Sequence, residues 1–369
     1  MIPKVDIQAV VGRLQEIKDD LGKKIIGVFP HSLIPDELIY AANAIPLKLT
    51  LGGDEYATTK GTEYLTQATC PFARGCIGYF DQGEPLYKFI DAYIGGNFCN
   101  GDLCGSEMIT KFFKIPFLKV TFPTTTAPFS LKFLANEFLI LKEHLEELTG
   151  TQITEETLLT AINKYNKVRV AFQELNRKMK DSNCPLLGTD LHNLMHQFLL
   201  LGPDDILDFI ESLQVENNGS HRNRIPILIS GSGIALRDEL ISFIEEFDAK
   251  VVVNDTWSGI HFYQNELEHN SNAQLMESLA RHYLLKCESS RMVPNVRRIP
   301  RVKKLIEEYN IKGIIDHILK FCDPYVADYR RFKNALLEDD IPVLQLERDY
   351  ATSLEQLRTR IGAFFEMIM

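Results

Sequence analysis

What most constrains this chain is a recurring pattern: a short apolar run, a turn, a helical stretch, then another apolar run. In the first 130 residues such runs occupy positions 25–29, 46–51, 92–96 and 117–121. Each has the length of a buried strand, not of a helix, and each is bounded by turn residues. Between the first two, the stretch from Pro35 to Ala42 places Asp36 and Glu37 in the first turn of a predicted helix, where acidic side chains favour the helix dipole. Strand, helix, strand is the signature of a parallel α/β layer. The pattern resumes after the polar stretch 216–220, with runs at 226–230, 250–255, 313–318 and 342–347. Between the two blocks the chain reads as helical. Thr154 with Glu155 and Glu156 forms an N-cap and acidic first turn, and Thr189-Asp190 and Pro203-Asp204-Asp205 repeat that kind of signal. Amphipathic helices open and close the chain, one carrying Val10, Leu14, Ile17 and Leu21, the other Leu354, Leu357, Ile361, Phe365 and Ile368.

The predicted organisation is an α/β domain over 1–130, a helical segment over 131–219 and a second α/β domain over 220–369. A length of 369 residues fits this, because single cores rarely grow that large. No sequence repeat is visible, although the halves have the same kind of pattern. A net charge of −10 argues against a nucleic-acid partner. Apolar stretches are too short for a membrane span. The charged N-terminus lacks a signal-peptide core, so the expected location is the cytoplasm. One basic run, Arg291, Arg297, Arg298, Arg301, Lys303 and Lys304, reads first as a solvated helix face. Its alternative is a dock for coenzyme phosphates or an acidic partner.

Seven cysteines carry the chemical signal: Cys70, Cys76, Cys99, Cys104, Cys184, Cys287 and Cys322. In a reducing compartment such thiols bind metal or do redox chemistry more often than they pair. Cys70 stands at a loop-to-helix entry, and Cys99 and Cys322 follow strands. Ligands of open α/β sheets lie at these carboxyl ends, and a helix N-terminus favours thiolate. The spacings match neither paired zinc motifs nor the common ferredoxin runs. Iron–sulfur, zinc and unligated core thiols therefore all stay open on chemistry alone. Cys184, in the helical segment, reads as a structural thiol.

Weaker candidates surround this set. His192 and His196 have metal-binding spacing on what reads as an ordinary helix surface. The loop Ser230-Gly231-Ser232-Gly233-Ile234-Ala235 lacks a complete dinucleotide or phosphate-loop signature and reads as a tight turn beside the crevice. Trp257, the only tryptophan, is expected to face that crevice too. Glu37, Tyr40, Glu347 and Arg360 are candidate proton donors or electrostatic aids, each with a structural reading beside it.

The ordered set Phe29-Pro30, the stretch from Pro35 to Ala42, Ala44-Ile45-Pro46, Cys70-Pro71-Phe72 with Arg74 and Cys76, Phe98-Cys99-Asn100-Gly101, Ser230-Gly231-Ser232, the stretch from Lys320 to Tyr325, the stretch from Ile341 to Leu344 and that from Gln356 to Arg360 resembles the 2-hydroxyacyl-CoA dehydratase D-component family. That family includes benzoyl-CoA reductase subunits and double-cubane cluster proteins. The resemblance implies two Rossmann/flavodoxin-like parallel-sheet domains clamping a [4Fe–4S] cluster on Cys70, Cys99 and Cys322. It also implies an ATP-dependent [4Fe–4S] activator protein as electron donor, and a homodimer or a heterodimer with a related subunit. Cys76, Cys104 and Cys287 would supply the second ligand set of a double-cubane reductase of small molecules. The alternatives are a single-cluster subunit of a 2-hydroxyacyl-CoA dehydratase or benzoyl-CoA reductase, and a non-catalytic electron-transfer protein.

Overall fold

The computed structural model describes residues 2–30, 33–213, 215–217, 219, 221–269, 274–286 and 290–369. Cys287 lies outside these. The first block runs α1 (Ile7–Asp19), β1 (Lys24–Val28), α2 (Asp36–Ala41), β2 (Ala44–Lys48), α3 (Glu55–Gly61), α4 (Pro71–Asp81), β3 (Ala92–Gly96), α5 (Asn100–Phe113) and β4 (Phe117–Val120). Four helices follow: α6 (Pro128–Thr149), α7 (Glu155–Lys178), α8 (Gly188–Leu201) and α9 (Pro203–Ser212). The second block runs β5 (Ile225–Gly231), α10 (Leu240–Glu245), β6 (Ala249–Asp255), α11 (Ile260–Tyr263), α12 (Leu275–Lys286), α13 (Arg298–Tyr309), β7 (Gly313–Leu319), α14 (Asp323–Leu337), β8 (Val343–Arg348) and α15 (Arg358–Ile368).

The fold is α/β, as expected: two four-stranded sheets, every pairing parallel. Their orders are β2-β1-β3-β4 and β6-β5-β7-β8, the same winding twice. Both sheets are covered on two sides, so their strands are apolar runs with almost no polar face. In each sheet the winding across the sheet reverses between the first strand and the third. Ligands of such sheets bind in the crevice outside these switch points. Here the two crevices face one another.

The helical middle holds the sheets in that relation. The Thr154 side chain caps α7 at the Thr157 N–H, 3.1 Å away, and the helix buries Ile162, Tyr165, Val168 and Phe172. Helix α8 packs against β2 of one sheet and β6 of the other. Its start is anchored by Glu245, whose carboxylate accepts from Gly188 N at 2.8 Å and Thr189 Oγ1 at 2.6 Å. His192 and His196 are consequently buried, where the helical spacing had suggested surface. Leu21 departs the other way: α1 ends at Asp19, and Leu21 is exposed. Contacts across the seam include Leu236 N to Thr50 O at 2.9 Å and the Arg74–Asp349 ion pair at 3.1 Å. Among the described residues, no helix is long and apolar enough to cross a membrane.

Candidate metal and substrate cavity

Each of three cysteines is the residue immediately before a helix. Cys70 precedes α4, whose first residue is Pro71; Cys99 precedes α5; Cys322 precedes α14. Proline suits the first helical position because its missing N–H has no partner there anyway. All three cysteines line one cavity of about 780 Å³ between the sheets, a volume typical of small-molecule sites. Its walls join the two switch points: Phe29, Phe98 and Cys99 from the first sheet, Ser232, Leu319 and Cys322 from the second.

The three sulfurs have different surroundings. The Cys99 sulfur accepts from Asp102 N at 3.3 Å, in the first turn of α5, where free N–H groups and the dipole stabilise negative charge. Burial, together with the neighbouring Cys322 and Cys99 sulfurs, pushes the Cys70 thiol up to about 12. The metal-free thiol is therefore protonated near neutral pH, and ligation would release that proton. The Arg291 guanidinium lies 3.8 Å from the Cys322 sulfur and 5.1 Å over the Phe98 ring. Space is kept between two of the cysteines by Gly101. A Cβ there would fall 3.1 Å from the Ala73 Cβ, 3.7 Å from the Cys99 sulfur and 3.8 Å from the Cys70 Cβ.

Three cysteine thiols around one cavity are a donor set that an iron–sulfur cluster can use, since its irons take thiolate ligands. Among the described residues, no three His, Cys, Asp or Glu side chains converge on a single metal ion. A cubane spreads its thiolates over separate irons, so its ligands stand wider apart.

The other predicted residues divide. Cys104 lines the same cavity from the exposed side of α5. Cys76 does not line it: its thiol is fully buried against Leu49 O and Leu51 O, at 3.7 and 3.8 Å. Cys184 is buried in the core, as read from sequence. None of the four proton-donor candidates reaches the cavity. Glu37 is buried between Arg169, at 2.5 Å, and the Tyr283 hydroxyl, at 2.8 Å. Burial alone would raise its pKa, but Arg169 and His282 bring it to about 2. The Tyr40 hydroxyl donates to Asp204 at 2.8 Å. Glu347 is exposed because side chains alternate along β8, with Leu346 and Arg348 turned inward. Arg360 is exposed and donates to Gln345 O at 2.6 Å.

The basic run is not one solvated face. Arg298 is buried with Asp316, at 3.4 Å, and Asp328, at 2.5 Å. Arg301 reaches Asp255 at 2.6 Å. Burial alone would raise Asp255, but Arg301 and His261 hold it well below the usual carboxylate range. Ser232, Gly233 and Trp257 do line the crevice. At Gly233 a Cβ would fall 1.8 Å from the indole nitrogen of Trp257, so only glycine lets that ring close over the loop.

Two lysines of the cavity, Lys48 and Lys286, were not picked out from sequence, and Asp36 was read only as an acid in a helix's first turn. Asp36 and Lys48 form a buried ion pair. Lysine at 48 interrupts an otherwise apolar run, Pro46-Leu47-Lys48-Leu49, and a charge inside a buried strand was the available signal. Lys286 ends α12, and burial lowers its pKa to about 8.

The sequence profile of the family described as 2-hydroxyglutaryl-CoA dehydratase, D-component, matches residues 31–368. Curated relatives align over nearly their whole lengths. Escherichia coli (strain K12) YjiM, provisionally named a dehydratase subunit, is 26% identical over 94% of this chain and 92% of its own. The (R)-phenyllactyl-CoA dehydratase beta subunit of Clostridium sporogenes is 25% identical over 95% and 93%. A benzoyl-CoA reductase subunit of Thauera aromatica is 22% identical over 95% and 92%.

Proposed function

Because this chain belongs to the 2-hydroxyglutaryl-CoA dehydratase D-component family, we propose that it is the iron–sulfur subunit of an acyl-CoA dehydratase or reductase, working on the carbonyl end of an acyl thioester. The observation that carries this is that three cysteines, each the residue just before a helix, Cys70, Cys99 and Cys322, line one cavity. These residues would hold a [4Fe–4S] cluster. When bound, it supplies a low-potential electron and an iron that can act as Lewis acid.

The chain's own residues prepare the site for that chemistry. Three helix N-termini direct partial positive charge at the sulfurs. Arg291 adds a full positive charge beside Cys322, which raises the potential of anything bound there. Phe29, Phe72, Phe98 and Trp257 line the space with apolar surface, which excludes water from a reactive centre.

Electrons would come from an ATP-hydrolysing activator protein, and a related subunit would complete the enzyme. That the relatives are themselves named as subunits of larger enzymes supports the second point. A second reading, the double-cubane reductase, draws on Cys104, which shares the cavity. Cys76 would have to turn out of the core to serve it.

Electron paramagnetic resonance of the anoxic, reduced chain tests the main reading. A 2-hydroxyacyl-CoA should change the spectrum, and free coenzyme A should not. A spectrum indifferent to the acyl-CoA would sink the acyl-CoA assignment and favour reduction of small molecules instead.

A further inference from the structure

Strand β6 ends at Asp255, and the chain turns back through 256–259 into the short helix α11. That turn returns His261 to the strand end, with its Nε2 3.0 Å from Asp255 Oδ1. Asp255 is buried and engaged on both oxygens: Arg301 stands 2.6 Å from Oδ1, and Ser230 Oγ donates to Oδ2 at 3.1 Å. With an arginine beside it the carboxylate stays ionised and can only accept hydrogen bonds. Nε2 of His261 therefore carries the ring proton, which leaves the lone pair on Nδ1. Among the described residues, no group hydrogen-bonds to Nδ1.

His261 lines the cavity that Cys70, Cys99 and Cys322 line, and among the described residues it is the only histidine that does. A histidine kept merely to balance Asp255 would be redundant, because Arg301 already does so. Burial lowers the pKa of His261 from its ordinary value; Asp255 opposes that shift, and Arg301 and Lys286 add to it. The ring is therefore neutral near pH 7. A neutral imidazole with one nitrogen fixed by a carboxylate and the other without a protein partner is the arrangement of a general base and its orienting acid.

Loss of water from a 2-hydroxyacyl thioester breaks a C–O bond at the hydroxyl-bearing carbon and a C–H bond at the carbon next to it. The C–H electron pair becomes the new C=C bond, and the C–O pair leaves with the hydroxyl. The proton passes to a base and then to the leaving hydroxyl, which departs as water. We propose that Nδ1 of His261 is that base, with Asp255 as the residue that positions it. The inference rests on reading the cavity as the site of acyl-CoA chemistry, and it assigns the proton transfer there to a residue outside the cysteine set.

The first test needs no turnover. Diethyl pyrocarbonate acylates neutral imidazoles, and peptide mass spectrometry locates the label on the anoxically purified full chain. His261 should be labelled while buried His192, His196 and His317 are not. Bound 2-hydroxybutanoyl-CoA, 2-hydroxyhexanoyl-CoA or 2-hydroxy-4-phenylbutanoyl-CoA, with binding followed by calorimetry, should slow the labelling in proportion to occupancy. With titanium(III) citrate as reductant, His261→Gln should lower kcat for dehydration by about a hundredfold or more, with KM and iron content unchanged. Asp255→Asn should lower kcat by about tenfold, again with little change in KM. An unlabelled His261, labelling indifferent to bound thioester, or His261→Gln turning over at the parent rate would each overturn the inference and leave the acyl-CoA reading standing. A parent chain that binds none of the thioesters contradicts that reading, and the inference falls with it.

Discussion

Cys70 and Cys76 lie six residues apart, and their sulfurs face different surroundings. One opens on the cavity; the other is sealed against the carbonyls of Leu49 and Leu51. Spacing along the chain could not separate them, because the helix entry at Pro71 sets which cysteine precedes the first turn and which lies inside it. Replacing Cys70, Cys99 or Cys322 by serine should each strip most of the iron from an anoxic preparation. Cys76→Ser should leave iron content unchanged, as measured by iron assay and visible absorbance; a loss equal to that of Cys70→Ser would contradict this. Glu37 belongs to the same scale. Its partner Arg169 is 132 residues away, a pairing no local pattern announces, so an acidic residue in a first turn was open to a chemical reading. Arg169→Met, which leaves that carboxylate buried alone, should cost about 3–5 kcal/mol in urea denaturation. The Glu37 pKa is lowered on folding, from 4.5 to about 2. Its contribution is therefore full above the unfolded value and is lost as pH falls toward the folded one. Glu37→Gln should lose less stability than the parent between about pH 5 and pH 3; parallel curves would contradict the assignment.

At the scale of elements, the eight short apolar runs all became strands, with ends shifted by at most three residues. Apolar runs bounded by turns leave a chain few other options. The Thr154 cap of α7 was equally legible, and Thr154→Ala should cost about 1 kcal/mol in thermal or chemical unfolding. What stayed hidden were elements whose surroundings come from distant chain. Helix α8 looks amphipathic in isolation, but with a sheet on either side it hides even His192 and His196. The basic run likewise dissolves into partners supplied by β6, β7 and α14. Helices α3 and α4 cross so closely that a Cβ at Gly61 would lie 1.9 Å from Arg74 O. Gly61→Ala should therefore displace the start of α4, lowering both the melting temperature and the iron retained. An unchanged melting temperature would mean the crossing gives way easily.

For the whole molecule, the decisive fact is that two sheets of identical strand order turn their switch points toward each other. No repeat in the sequence marks this, because parallel α/β packing asks for apolar strands and suitable turns, not for particular residues. The arrangement gives the cysteines of both blocks a common space, and tight seam contacts such as Arg74–Asp349 keep it closed. The central claim is that Cys70, Cys99 and Cys322 hold one cubane there. It is tested most directly by iron and acid-labile sulfide per chain after strictly anoxic purification, in the parent and in the three serine variants. The account predicts about four irons and four sulfides in the parent, and near-complete loss in each variant. Zinc in place of iron, or a cluster that survives all three substitutions, would contradict it.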